Sequence, residues 1–401
     1  MKVIPINPVI FYRSVLPKIT GGFFTEVDDC IQSLISLSED TASDLFKLVV
    51  FHDPESETDY LNRKNYVSTA LRKYFPGKCP TFVLIGQVPE IPYKVSFEAA
   101  FVGKGDFQVF YRSSGDHPYV VFESPGYKEL WSSGLRGTVN GASNEEIALS
   151  SFEEAQKVLA AEGMSFNQVV RQWNYVGGIL QKSPVNGTNM QNYQIFNEVR
   201  HSVYQQFRTI KGFPAATGIG DKLKNITLEI CAVQAENGQA DFAVENPKQV
   251  NPYDYSQKVL VGKPIHSQPI KHPPEFERAK MVIAPYNIRV FISGTASIIG
   301  QETIGIGDVE KQTHCTISNI ESLVSPENLK RSNPGIPPGR FDYTYLRVYV
   351  KYLTDLEKVK VICRQKYPLI PITYTVADIC RDDLLLEIEG EMVLLPSSGD
   401  N

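Results

Sequence analysis

Apolar residues recur along the chain with the period of amphipathic helices in some segments and with the period of strands in others. From residue 24 onward, Val27, Ile31 and Leu34 follow the i, i+4, i+7 spacing of one helix face. The next segment alternates as a strand does, with three apolar side chains predicted on one face: Phe46, Leu48 and Val50. A second helix and two more strands are predicted over residues 60–75, 81–86 and 93–102. This part of the chain therefore predicts the order helix, strand, helix, strand, strand.

A similar order recurs twice. After a stretch punctuated by Gly and Ser at 113–116, the pattern predicts a short strand at Trp131, followed by helices and strands over residues 152–163, 169–176, 193–207 and 226–233. Gly218 and Gly220, which follow the second of these helices, are interpreted as tight turns. The third set is predicted over residues 290–297, 309–324, 343–353, 356–367, 373–379 and 384–393, with Asp308 as a helix N-cap.

One acidic residue stands at the same place in each of the three closing strands: Glu98, Glu229 and Glu389. These glutamates are 131 (229 − 98) and 160 (389 − 229) residues apart, a period as long as a domain. Such a period implies triplicated domains rather than a solenoid. We expect repeats at residues 1–104, 105–262 and 276–401, with the proline-rich residues 263–275 as a connector.

Composition narrows the class of protein. The 401 residues are 42% hydrophobic and carry a net charge of −5, which is typical of a globular protein and gives no electrostatic reason to expect nucleic acid or an acidic membrane as partner. The prolines at 5 and 8 interrupt any signal-peptide core, and no apolar run approaches a membrane span, so we expect a cytoplasmic protein. The six cysteines and six histidines form no metal-ligand spacing, so no metal or cofactor is expected.

The closing strand of the third set carries three acids on one side: Glu387, Glu389 and Glu391. One interpretation is that this face is turned to solvent, as strands normally turn such faces. The other is that Glu387 points into a cleft and keeps a raised pKa, so that it can donate a proton.

The repeating unit resembles the RidA (YjgF-like) family. The match is clearest in YFPGKCP at residues 74–80, Val88-Pro89 and FEAAFV at residues 97–102. The resemblance implies an α+β, chorismate-mutase-like fold, with three repeats forming a pseudo-trimeric barrel whose helices lie outside. The positions of the family's catalytic arginine hold Pro80, Ala216 and about Tyr374, and those of its catalytic glutamate hold Ser96, Thr227 and Glu387. Only the third repeat keeps the acid, and the missing arginine argues against imine deamination.

Longer motifs resemble the chorismatase family, which is built on the RidA fold and releases pyruvate from chorismate. The matching stretches are YQIFNEVR at 193–200, PAATGIG at 214–220, ENPKQV at 245–250, FERA at 276–279, ISGTASIIG at 292–300 with GDV at 307–309, and ADICR at 377–381 continuing to Glu389. Residues 271–275 (KHPPE) replace the Arg/Ser/Pro-rich run of that family. The resemblance implies chorismate as the small-molecule substrate.

The resemblance also implies roles for single residues. Chorismate is a dianion with an enol ether, so Glu387 is expected to protonate the enolpyruvyl methylene carbon. Two arginines, Arg200 and Arg278, are candidate carboxylate clamps, each with a surface ion pair as the alternative. Tyr193 and Tyr253 are possible hydrogen-bond donors. Arg381 is expected to pair with the adjacent acids Asp382 and Asp383 in a structural role.

Two positions bear on the product. Gly294, beside Thr295, occupies a position where chorismatases that form a dihydroxycyclohexadiene acid tend to have alanine. Cys380, before Arg381, resembles the residue found at that position in chorismatases that form hydroxybenzoate. The expected products are therefore pyruvate and 3-hydroxybenzoate, with a related dihydroxycyclohexadiene acid as the alternative, formed by a monomeric pseudo-trimer or its dimer. The alternative is a non-catalytic pseudo-trimer that binds a small carboxylate metabolite, which the changed residues 271–275 favour.

Overall fold

The computed structural model describes residues 9–137, 141–185, 188–236, 240–260 and 270–396. The elements of the first sheet and its helices are, in chain order, β1 (Ile10–Val15), α1 (Phe23–Thr41), β2 (Asp44–His52), α2 (Glu57–Tyr74), β3 (Thr81–Gly86), β4 (Val88–Pro89) and β5 (Val95–Val102). The short strand β4 leaves this group and joins the third sheet.

The second group contains β6 (Gln108–Ser114), β7 (His117–Ser124), β8 (Tyr127–Arg136), α3 (Asn144–Ala161), β9 (Val169–Gly177), β10 (Lys182–Val185), β11 (Thr188–Gln191), α4 (Asn192–Phe207), β12 (Ala215–Asp221) and β13 (Ile226–Ala235). The third contains β14 (Asp241–Val244), β15 (Ala279–Ala284), β16 (Asn287–Thr295), β17 (Ile298–Ile299), β18 (Glu302–Thr303), α5 (Val309–Leu323), α6 (Pro326–Ser332), β19 (Gly339–Val350), α7 (Leu356–Lys366), β20 (Ile372–Val376) and β21 (Leu386–Pro396).

Four strands of each large sheet follow one common order. These are β1-β5-β2-β3 in the first sheet, β8-β13-β9-β12 in the second and β16-β21-β19-β20 in the third. The last pair of each set is parallel and the others are antiparallel. The fold is thus mixed α+β. Among the described residues no sheet closes on itself, so the predicted barrel stays a prediction.

Apolar side chains divide into one shared core and three outer cores. Each outer core lies between one sheet and its own helices, as Leu48, Ile31 and Leu71 do in the first. The other face of every sheet contributes to the shared core, where Phe46, Trp173 and Tyr349 belong to the first, second and third sheets. Both faces of the sheets are therefore buried, and the helices lie outside.

Three buried ion pairs join the sheets in a cyclic order. Lys47 of β2 pairs with Glu229 of β13 at 3.1 Å, Arg171 of β9 pairs with Glu389 of β21 at 2.7 Å, and Arg347 of β19 pairs with Glu98 of β5 at 2.5 Å. The first sheet is thereby linked to the second, the second to the third and the third to the first. We call these six residues the ion-pair ring. The three glutamates are the ones that the sequence places at equivalent positions.

Two sequence predictions need correction. Phe46 does not share a face with Leu48 and Val50, because the register of β2 against β5 shifts between Leu45 and Lys47 and turns Phe46 toward the shared core. Gly218 and Gly220 lie inside strand β12 rather than in turns. The stretch at 113–116 is the tip of the β6–β7 hairpin.

The predicted repeat boundaries at 104 and 262 are not tested by the sheets, and residues 263–269 of the predicted connector lie outside the described residues. Its remaining part, 270–275, passes over the beginning of α4. No helix among the described residues is long and apolar enough to cross a membrane.

Candidate active site

A cavity lies where strand β12 of the second sheet faces strands β16 and β21 of the third. It encloses about 690 Å³ of atom-free space, part of it open to solvent. Its lining comprises Gln191, Tyr193, Gln194, Asn197, Ala216, Gly218, Tyr255, Val259, Leu260, Pro274, Phe276, Arg278, Gly294, Ala296, Ile298, Cys380, Arg381, Leu384 and Glu387. A mostly apolar concavity with a few converging polar groups is the usual form of a small-molecule site.

Glu387 reaches the cavity because successive side chains of β21 point to opposite faces of the sheet. Leu386 and Ile388 point to the outer core with the helices, so the residue between them points inward. The Glu387 side chain is buried and makes no hydrogen bond with a described residue. Burial, reinforced by the charge of Glu389, raises the pKa of Glu387 to about 8, although Arg171 and Arg278 act in the opposite direction. The carboxyl group is therefore protonated at neutral pH.

The two other acids of this face have different surroundings. Glu389 belongs to the ion-pair ring and also accepts hydrogen bonds from Trp173 Nε1 at 2.9 Å and from the hydroxyl of Thr217. Glu391 accepts a hydrogen bond from the hydroxyl of Tyr12 at 3.0 Å. All three acids are buried, so the solvent-facing interpretation of this strand is wrong. The face is acidic because it lies in a polar layer between the sheets.

Two guanidinium groups, those of Arg278 and Arg381, line the cavity near Tyr255. The guanidinium carbons of Arg278 and Arg381 lie 5.7 Å and 5.0 Å from the centre of the Tyr255 ring. Arg278 donates to the Tyr255 hydroxyl at 2.8 Å, and its buried Nε atom has no hydrogen-bond partner among the described residues. Arg381 donates through one nitrogen to the Gln301 carbonyl at 2.8 Å. Both arginines keep N–H groups that can donate hydrogen bonds to a bound anion.

Arg381 differs from its sequence prediction. It was expected to pair with Asp382 and Asp383, but the salt bridge of Asp382 is with Lys351, at 2.9 Å. The loop is held from α5 instead, where Gln312 donates to the Asp383 carbonyl at 2.8 Å and accepts from the Leu385 amide at 2.8 Å. These bonds leave Arg381 turned to the cavity.

Three more residues singled out from the sequence also line the cavity: Tyr193, Gly294 and Cys380. The Tyr193 ring packs against Gly218, where a Cβ atom would lie 2.7 Å from it. A Cβ atom on Gly294 would lie 1.9 Å from Glu387 Oε1, so glycine is needed for the acid to occupy its position. Burial and the charge of Glu387 raise the pKa of the Cys380 thiol to about 12, which keeps it neutral.

Arg200, Thr295 and Tyr253 lie outside the lining. Arg200 is buried behind it and donates to Asn197 Oδ1 at 2.8 Å, so it reaches the cavity only through that amide. The hydroxyl of Thr295 donates to the Ser293 carbonyl at 2.9 Å. The hydroxyl of Tyr253 lies 3.4 Å from Glu277 Oε2. Direct substrate contacts by Arg200 and Thr295 stay predictions.

Sequence reasoning missed five polar residues of the lining: Gln191, Gln194, Asn197, Tyr255 and Arg381 as a cavity residue. Gln194 and Asn197 are three apart at the start of α4, inside the motif at 193–200, and this spacing was a usable signal. Tyr255 lies in an irregular segment after β14, where no periodicity indicates a direction.

The family model named "Chorismatase FkbO/Hyg5-like, N-terminal" matches residues 115–232. A 3-hydroxybenzoate synthase of Streptomyces hygroscopicus is 34% identical over 231 residues, which is 57% of this chain and 64% of that protein. A chorismatase of the same organism is 33% identical over 233 residues, which is 57% of this chain and 62% of that protein. The matched stretch thus spans slightly less than two thirds of either relative.

The fold is similar to a crystal structure of a chorismatase. The two superpose with a TM-score of 0.64 over 95% of this chain and 98% of that one, at 22% sequence identity. The common fold therefore extends well beyond the stretch in which sequence similarity is detected.

Proposed function

We propose that this chain, a relative of the chorismatases in sequence and in fold, is an enzyme that releases pyruvate from chorismate. The observation that carries the proposal is the Glu387 carboxyl group, protonated at neutral pH and free of hydrogen bonds with described residues, facing a cavity that also holds two guanidinium groups. Chorismate needs both features, because it is a dianion whose enol ether must be protonated on carbon.

In the proposed reaction, Arg278 and Arg381 hold the two carboxylates of chorismate, and the Tyr255 hydroxyl accepts a hydrogen bond from Arg278. Glu387 transfers its proton to the methylene carbon of the enolpyruvyl group, which forms a C–H bond and leaves an oxocarbenium-like centre. The glutamate ends as a carboxylate, whose charge stabilises that centre. Tyr193, Gly294 and Cys380 surround the acid, while Arg200 and Thr295 act from behind the cavity wall.

The proposed aromatic product is 3-hydroxybenzoate. Chorismate yields 3-hydroxybenzoate and pyruvate without consuming water, whereas the non-aromatic diol requires one water molecule. A neutral thiol at Cys380 and an apolar wall at Ala296, Ile298 and Leu384 disfavour an ordered water beside the reacting carbon. One curated relative also bears the name 3-hydroxybenzoate synthase.

The architecture that we propose for the chain is three RidA-like repeats, at residues 1–104, 105–262 and 276–401, arranged as a pseudo-trimer in one chain. The common strand order of the three sheets and the cyclic ion-pair ring support it. The six cysteines are all free thiols, which agrees with a cytoplasmic location.

The test is to incubate the purified chain with chorismate, to measure pyruvate with a coupled dehydrogenase and to separate the ring products by chromatography. We expect equal amounts of pyruvate and 3-hydroxybenzoate. Bound chorismate without pyruvate would instead support the non-catalytic alternative, a pseudo-trimer that only binds a small carboxylate. That alternative gives no reason for a protonated acid in the cavity.

A further inference from the structure

Residues 270–276, which we call the strap, cross the first turns of α4 and end in the cavity wall with Pro274 and Phe276. Two side chains of the strap contact two side chains of the helix in a crossed pattern. His272 Nδ1 lies 2.6 Å from Glu198 Oε2, and His201 Nδ1 lies 2.7 Å from Glu275 Oε1. Strap and helix thus each supply one histidine and one glutamate, three residues apart in both cases.

The two imidazole rings also stack on each other. Their centres are 3.6 Å apart and the ring planes differ by 13°. A ring that is stacked on one side and hydrogen-bonded at one nitrogen has little freedom to rotate, so the strap is held against the helix at two points. Among the described residues, Lys271 interacts electrostatically with Glu198, and Arg208 and Tyr204 interact with Glu275.

Gln194 connects the His272–Glu198 pair, which we call the inner pair, to the cavity. Gln194 Nε2 donates to Glu198 Oε1 and to the His272 carbonyl, both at 2.8 Å. Because both partners are acceptors, the amide nitrogen must face them, and the Gln194 oxygen is left to accept a hydrogen bond. Gln194 lines the cavity, so a hydroxyl group of a bound ligand is the chemical partner that fits this oxygen.

We propose that these two crossed pairs are a latch that positions the Pro274–Phe276 wall and orients Gln194 to accept a substrate hydroxyl group. His272, Glu198, His201 and Glu275 are then positioning residues that act through the wall and through Gln194. The inference rests on the proposed function for its substrate, but the latch itself is a property of the free protein. The latch thus assigns a function to residues 271–275, which depart from the chorismatase pattern: they position one wall of the cavity.

The latch can be tested in the free protein by hydrogen exchange. The His272 amide donates to Glu198 Oε1 at 3.0 Å and reports directly on the inner pair. His272→Phe and Glu275→Leu should each speed exchange in residues 270–278 by about tenfold or more, because each removes a hydrogen bond to a carboxylate. His272→Asn keeps a donor at the place of Nδ1 and should exchange like the wild type. His314→Phe, an exposed histidine on α5, is the matched control.

The kinetic arm uses the same variants with chorismate. We expect His272→Phe to raise KM about tenfold while kcat changes less than threefold, and His272→Asn to recover most of the lost affinity. Unchanged exchange in His272→Phe, or a fall of kcat with KM unaltered, would overturn the latch. If the wild-type protein releases no pyruvate, the proposed function fails, and the exchange experiment alone decides the latch.

Discussion

Glu387 is the residue on which the proposed chemistry depends. Replacing it by glutamine keeps the shape but removes the acidic proton, so Glu387→Gln should lower the rate of pyruvate release by about 10²- to 10⁴-fold. Glu391→Gln is the matched control, since Glu391 lies on the same face of β21 but contacts Tyr12 rather than the cavity. Steady-state kinetics on folded variants decides the matter, and equal losses in both would show that the acid is misassigned.

The pKa of Glu387 also gives the reaction a pH dependence. A group whose pKa is raised to about 8 is protonated below that pH and loses its proton above it. We therefore expect kcat/KM to fall on the alkaline side with an apparent pKa near 8. Glu389→Gln should keep much of the activity but move this fall to lower pH, because it removes a negative charge that raises the Glu387 pKa. An unmoved alkaline limb would contradict this account.

Gly294 links the position of the acid to the product. A methyl group there would lie 1.9 Å from Glu387 Oε1, so Gly294→Ala must displace the carboxyl group. We expect a lower total rate and a product mixture shifted toward the non-aromatic diol, as measured by chromatography against total pyruvate. If Gly294→Ala is slower but gives an unchanged product ratio, Gly294 does not determine the product.

Much of the site could be predicted from the sequence where the residues lie on regular elements. Glu387 and Tyr193 could be placed because their strand and helix have clear periods, and Arg278 because a motif marks it. Tyr255 and Arg381 belong to irregular segments, so their directions depend on tertiary hydrogen bonds such as those of Gln312. For Arg200 the sequence gives no direction, because a helical arginine in a motif has the same pattern whether it faces a cavity or an amide such as that of Asn197, so its contact with the substrate stays a prediction.

At the scale of elements, the ion-pair ring joins the three sheets, and we expect the loss of one member to destabilise the fold. Arg347→Met leaves Glu98 buried without its cation, and breaking such a pair typically costs about 3–5 kcal/mol of the free energy of unfolding. Arg340→Met on the same strand removes a pair with Asp342 in which the arginine is 74% exposed, and should cost less than about 1 kcal/mol.

Urea denaturation, with the midpoints of both arginine variants compared, measures this difference. Similar small losses in Arg340→Met and Arg347→Met would mean that the ring contributes little. The folded fraction of Arg340→Met should release pyruvate at a rate close to that of the wild type, because Arg340 pairs with Asp342 and does not line the cavity.

Elements with strong periodicity were predicted well, and those with weak side-chain patterns were not. Helices such as α1 and α4 follow their apolar spacing to within a few residues. Strand β12 was missed because Gly218 and Gly220 provide no alternation, although close packing demands them: a Cβ on Gly220 would lie 2.9 Å from the Asp378 carbonyl oxygen. The face of Phe46 was missed because a single register shift in β2 reverses the alternation.

At the scale of the whole molecule, one chain already contains three sheets around a shared core. We therefore expect the isolated protein to have the mass of one or two chains in light scattering, because in the proposed pseudo-trimer the interfaces between the three sheets lie within one chain. A single species with the mass of three chains would contradict the pseudo-trimer.

The cyclic ring of ion pairs has a consequence for how such a molecule can evolve. In an assembly of identical subunits, every substitution enters all interfaces at once, so selection cannot improve one cleft without altering the others. Here the three sheet interfaces are encoded by separate stretches of one gene, and the ring already shows their independence, with lysine in one pair and arginine in two. Under the proposed function, Ser96 and Thr227 can therefore serve packing alone while Glu387 donates the proton, and sequence drift at two interfaces need not impair the third.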